Sequence, residues 1–124
     1  MTKKPSILVV EDDVWLAEQY VRMIEKAGFH AAHASHALAA MDILDKGVPD
    51  VIVLDVMLSG PNAFTLLHEL RSHADLAAIP IILCTNSASD IQQDDVAVYG
   101  VVQLLDKTTM HPDDLLTSIK KALL

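Results

Sequence analysis

Short apolar runs alternate along the chain with longer segments in which apolar residues recur every third or fourth position. Ile7–Val10, Val51–Leu54 and Ile81–Cys84 are apolar throughout, as parallel strands covered on both faces must be. His30–Ala34 reads as a weaker strand, and Val101–Leu105 completes a set of five. Between them lie helix-length stretches. Residues 14–27 space Val14, Ala17, Val21 and Ile24 on one face and meet Gly28 as a C-terminal stop. Residues 36–46 end at Gly47 and Pro49. Residues 62–73 carry Phe64, Leu67 and Leu70, residues 88–98 are polar, and residues 113–123 repeat Leu115, Leu116, Ile119, Ala122 and Leu123. Five strand–helix alternations predict an α/β fold, a parallel sheet with right-handed crossovers. No linker, second domain or internal repeat interrupts 1–124, so one domain is expected.

In such a sheet, ligands sit beyond the carboxyl ends of the strands, and this chain concentrates its chemistry there. Glu11, Asp12 and Asp13 follow the first strand, "VIVLD" ends in Asp55, "IPIILCT" in Thr85 and "VVQLLDK" in Lys107. Carboxylates converging from two strands repel one another, which favours a hard divalent cation with oxygen ligands. Magnesium suits one or two carboxylates, several waters and a phosphate oxygen. Lys107 is a point charge for a phosphoryl oxygen, and the Thr85 hydroxyl can donate to another. The set points to phosphoryl transfer, with a carboxylate as nucleophile.

Composition narrows the partners. The 124 residues carry 17 acids against 9 bases, a net charge of -8, so a nucleic-acid backbone or an anionic membrane would repel the chain. A single cysteine, Cys84, suits a reducing compartment. No secretory signal is expected, since the apolar run after Lys3 and Lys4 is cut short by the acids at 11–13, and no apolar stretch reaches the roughly 18–20 residues of a bilayer span. A cytoplasmic protein is expected.

The pieces "ILVVEDD", "PDVIVLDVML", "IPIILCT" and "LLDK" stand in the order and spacing of the response-regulator receiver domains of two-component signalling, and the chain resembles that family over essentially its whole length. The resemblance implies a doubly wound, five-stranded parallel sheet of flavodoxin-like order 2-1-3-4-5 with helices on both faces. It implies that Asp55 is the phosphoacceptor. Asp12 would ligate Mg2+ directly, Glu11 through water, and the Met57 backbone carbonyl would complete the protein's share. Thr85 would swing toward the phosphoryl group and Lys107 would pair with it. Asp13 falls one place beyond the pair and is expected to cap the helix starting at Val14. A histidine kinase or phosphotransfer protein would be the donor. The domain would be a phosphoacceptor that assists its own phosphorylation and dephosphorylation, not a turnover enzyme. No effector domain is expected after Leu124, so output would pass to a downstream protein or a homodimer by way of the face formed by residues 88–124, or through a larger chain of which this domain is a part.

Several positions depart from the family pattern. Ser59 and Ala63 stand where proline and glycine are usual, and Asn86 replaces the small residue after the threonine. Thr108 replaces the proline after Lys107, so a trans bond is expected there, because a cis bond before a non-proline costs roughly 2.5–4 kcal/mol. Leu104 occupies the place of the switching aromatic, with Tyr99 nearby. These departures keep a second reading open: a receiver-like interaction module that is rarely or never phosphorylated. An aspartyl phosphatase would want a second acid two residues after its nucleophile, where Met57 stands. His30, His33 and His36 straddle a strand–helix junction, so their rings should diverge rather than bind a metal. His68, His73 and His111 should face solvent, and Cys84 should be a small core residue.

Overall fold

A computed structural model describes residues 4–56, 63–86 and 91–124. Five strands, β1 (Ser6–Val10), β2 (His30–Ala34), β3 (Val51–Asp55), β4 (Ile81–Thr85) and β5 (Val101–Asp106), alternate with five helices, α1 (Val14–Lys26), α2 (Ala37–Lys46), α3 (Ala63–Arg71), α4 (Gln93–Ala97) and α5 (Pro112–Ala122). All pairings are parallel, in the order β2-β1-β3-β4-β5. The doubly wound fold expected from the sequence is therefore the one observed. Expected strand limits fall within one residue of the observed ones. The helices expected over 62–73 and 88–98 begin in part outside the described residues, and within them α4 is one short turn.

The pleat sorts side chains to two faces. Ile7, Val9, Val51, Val53, Ile82, Cys84 and Leu105 pack with Tyr20 and Ile24 of α1 and Leu115 and Ile119 of α5. Leu8, Val10, Ile52, Leu54, Ile81 and Leu83 pack with α2, α3 and Val96 of α4. The three central strands are buried on both sides, which explains their unbroken apolar runs. β2 is an edge strand with exposed alternate positions, hence its weaker pattern.

Local chemistry sets the helix ends. The Asp13 carboxylate accepts from the Leu16 N–H at 3.1 Å and caps α1, as expected. Gly28 follows with φ +98, a left-handed conformation that glycine adopts without a Cβ penalty. The His36 imidazole accepts from the Ala39 N–H at 3.1 Å and caps α2. Between β4 and β5 the register slips by one residue after Ile81, which pairs with Val101 while Ile82 pairs with Gln103. This bulge leaves Val102 about half exposed.

Candidate phosphoacceptor and metal site

Register explains why the acids meet. Val9 pairs with Val53 and Val10 with Leu54, so one rung further Glu11 stands beside Asp55 on the α1/α5 side of the sheet. Lys107 follows Leu105 by two and shares its face, and its N–H donates to the Thr85 carbonyl at 2.8 Å. The sequence-predicted Glu11, Asp12, Asp55, Thr85 and Lys107 thus lie along one rim. Met57, expected to offer a carbonyl, lies outside the described residues, as does Ser59.

Carboxylate oxygens of Glu11, Asp12 and Asp55 all lie within 4.8 Å of one another. Glu11 and Asp55 are 2% and 5% exposed, whereas Asp12 faces solvent. At 4.8 Å two unit charges repel by about 3 kcal/mol at an effective dielectric near 20, so a positive charge beside the cluster relieves it. The chain supplies one: the Lys107 ammonium donates to Glu11 Oε1 and lies 3.1 Å from Asp55 Oδ2. Burial pushes the Glu11 carboxyl up to about 7, the Asp55 charge adding to that rise and Lys107 opposing it. Burial alone would pull the Lys107 ammonium down, but its bonds to Glu11 and Asp55 outweigh this and the net shift is upward. Three oxygen donors, two of them buried, suit a hard divalent cation.

Neighbouring groups fix the rim. The Asp13 N–H donates to Glu11 Oε2 at 3.2 Å, and the His33 imidazole Nε2 lies 2.7 Å from the Glu11 carbonyl oxygen. After Lys107 the chain turns on Asp106, whose Oδ1 accepts the Thr108 N–H at 2.8 Å. The Thr108 hydroxyl and N–H hold the Asp106 carboxyl below its ordinary value. The described residues contain no cis peptide bond, so the bond before Thr108 is trans as expected, and an aspartate turn shapes this loop. Cys84 is fully buried, and burial pushes its thiol up to about 12, the behaviour of a core residue.

The other histidines diverge as expected. His30 is exposed, His33 turns to the rim and His36 caps α2. His68, His73 and His111 are all exposed, but His68 Nε2 lies 3.0 Å from the Tyr99 hydroxyl with the two rings edge-on, and His73 pairs with Glu69 at 3.2 Å. Sequence spacing gave no sign of the His33 or His68 contacts.

The profile of the response regulator receiver domain matches residues 7–120. The chain belongs to that family. Among curated receiver proteins it is similar to the transcriptional regulatory protein GltR of Pseudomonas aeruginosa, at 32% identity over 95% of this chain and 48% of that one. The chain spans less than half the length of such relatives. Among solved receivers it resembles the signal receiver domain of a histidine kinase from Syntrophus aciditrophicus (TM-score 0.81, 27% identity, 96% of this chain and 89% of that one). It also shares the fold of chemotaxis response regulator CheY4 of Vibrio cholerae (TM-score 0.88, 21% identity, 98% and 100% covered). No helix among the described residues of this receiver is long and apolar enough to cross a membrane.

Proposed function

We propose that this receiver domain is a signalling switch in which Asp55 accepts a phosphoryl group from a histidine kinase or phosphotransfer protein. The convergence of three carboxylates within 4.8 Å, with Lys107 Nζ 3.1 Å from Asp55 Oδ2, carries the reading. One Asp55 oxygen attacks phosphorus, the O–P bond forms, the donor's N–P bond breaks, and the electron pair returns to the donor imidazole. Asp12, Glu11 and Asp55 would hold Mg2+, with the Met57 carbonyl as a further donor. Bound there, the ion would neutralise phosphoryl oxygens as charge redistributes. Lys107 moves from its carboxylate partners to a phosphoryl oxygen, and Thr85 donates its hydroxyl to another.

The donor protein docks along the groove of about 880 Å³ between α1 and α5. Lys107 lines this groove, so an occupant reaches the acceptor, while Met23, Met110 and the 69% exposed Trp15 offer apolar anchors. Arg22 and Lys26 on α1 favour an acidic partner helix. A downstream protein reads the face built from α4, β5 and α5, where Val98 and Val102 stand more than half exposed.

Intact-mass analysis after incubation with Mg2+ and acetyl phosphate tests the acceptor. Wild type should gain one phosphoryl group and Asp55→Ala none. Leu104, half-buried against the core where receivers usually carry an aromatic, favours the second reading, an interaction module that is seldom phosphorylated. A folded wild type that gains no mass would decide for that module.

A further inference from the structure

We infer that His33 is a positioning residue for the acidic site, acting through the backbone carbonyl of Glu11; this rests on the reading of Glu11, Asp12 and Asp55 as a magnesium site. Two β2 groups grip Glu11. Its N–H donates to the Ala34 carbonyl at 3.0 Å, and its carbonyl oxygen lies 2.7 Å from His33 Nε2. A carbonyl oxygen can only accept, so Nε2 carries the hydrogen and the ring is held as the Nε2–H form. The β1–β2 ladder ends at Val10↔Ala34, and β2 bends away at Ser35. The imidazole therefore takes the place of the next rung.

That carbonyl belongs to the peptide joining Glu11 to Asp12. Side chains of adjacent extended residues leave the backbone on opposite sides, yet both carboxylates must turn toward Asp55. The orientation of the Glu11–Asp12 peptide plane decides whether they do. A carbonyl released from His33 lets the plane rotate about its flanking bonds and carries the Asp12 carboxylate with it. His33 lies outside the cluster of converging donor atoms formed by Glu11, Asp12 and Asp55, so it supplies no ligand atom itself. Its part matches that of hydrogen-bonding partners behind metal ligands, whose loss weakens metal binding about 10- to 100-fold.

The test is a magnesium titration followed by fluorescence of Trp15, the only tryptophan, and by calorimetry, on wild type, His33→Leu and His33→Gln. The glutamine amide keeps an N–H at the reach of Nε2, so His33→Gln should bind within about threefold of wild type. His33→Leu should bind at least about tenfold more weakly while its metal-free thermal midpoint stays near that of wild type. Equal binding by His33→Leu overturns the role and leaves the metal site standing, as does equal weakening in both variants. A wild type that binds no magnesium ends the site reading and this role together. Should His33→Leu fail to fold, nitrogen chemical shifts of the wild-type ring decide, and a bare Nε2 with a protonated Nδ1 overturns the inference.

Discussion

Replacing Glu11 with glutamine should change how stability depends on pH, by an amount set by the buried carboxyl. In the metal-free fold Glu11 releases its proton near pH 7, against 4.5 for an unperturbed glutamate. The gap of about 2.5 units (7 − 4.5), at about 1.4 kcal/mol each, means that ionising Glu11 in the fold costs about 3 kcal/mol. The folded state holds this proton more tightly than the unfolded chain. Its contribution is therefore full below pH 4.5 and is lost as the pH rises through about 7. Lys107 stays charged throughout, since its own shift is upward. In Glu11→Gln this titration is gone, leaving a pH-independent offset from the altered bonds to Lys107 and the Asp13 N–H. Urea unfolding of both proteins in EDTA at pH 5, 6, 7 and 8 isolates the effect of the cluster, because titrating groups away from Glu11, Asp55 and Lys107 cancel in the difference. The stability difference should move by about 2.5 kcal/mol in favour of the variant from pH 5 to pH 8, because part of the contribution is already lost at pH 5. A flat difference would refute the reasoning.

Magnesium at 100 times its Kd should stabilise wild type by about 2.7 kcal/mol, and thermal melts of Asp12→Asn should lose this gain while its metal-free stability stays within about 0.5 kcal/mol. Tyr99→Phe and His68→Ala should be non-additive in a double-mutant cycle by about 0.5–1 kcal/mol, reporting the 3.0 Å bond between α3 and the end of α4; strict additivity would show the bond contributes nothing. Gly100 has φ +88 and a Cβ there would meet the Ile79 carbonyl oxygen at 3.4 Å, so Gly100→Ala should cost about 1–2 kcal/mol. Gly47→Ala, with open space and an extended backbone, should be near neutral in the same urea titration.

The fold was legible where burial is simplest. Val51–Leu54 and Ile81–Cys84 lie between two helical layers, so every position is apolar and the strand declares itself. His30–Ala34 borders on one strand only, and α4 buries Val96 alone among its residues, so neither leaves much of a pattern. The rim was legible because parallel strands end on one side, which put Asp12, Asp55, Thr85 and Lys107 together before any coordinates. The partner of Lys107 was not: Glu11 lies 96 positions away, and only the sheet order brings them into reach. The turn of His33 toward Glu11 was equally hidden, since spacings of three between histidines say nothing of ring direction. Once Val9 is known to pair with His33, their shared face puts that ring two residues below the rim.

The slipped register at Val102 bears on how distance along such a chain should be measured. Val101 and Leu104 face the same helical layer although three positions separate them, a parity that a regular strand forbids. One residue has been added to the count without adding a step along the sheet. The interval from Thr85 to Lys107 is thus longer in letters than in rungs. A homologue lacking the extra residue would deliver its lysine to the same spot from a shorter tether, and comparisons that align β5 by rung would find it where comparisons by letter would not.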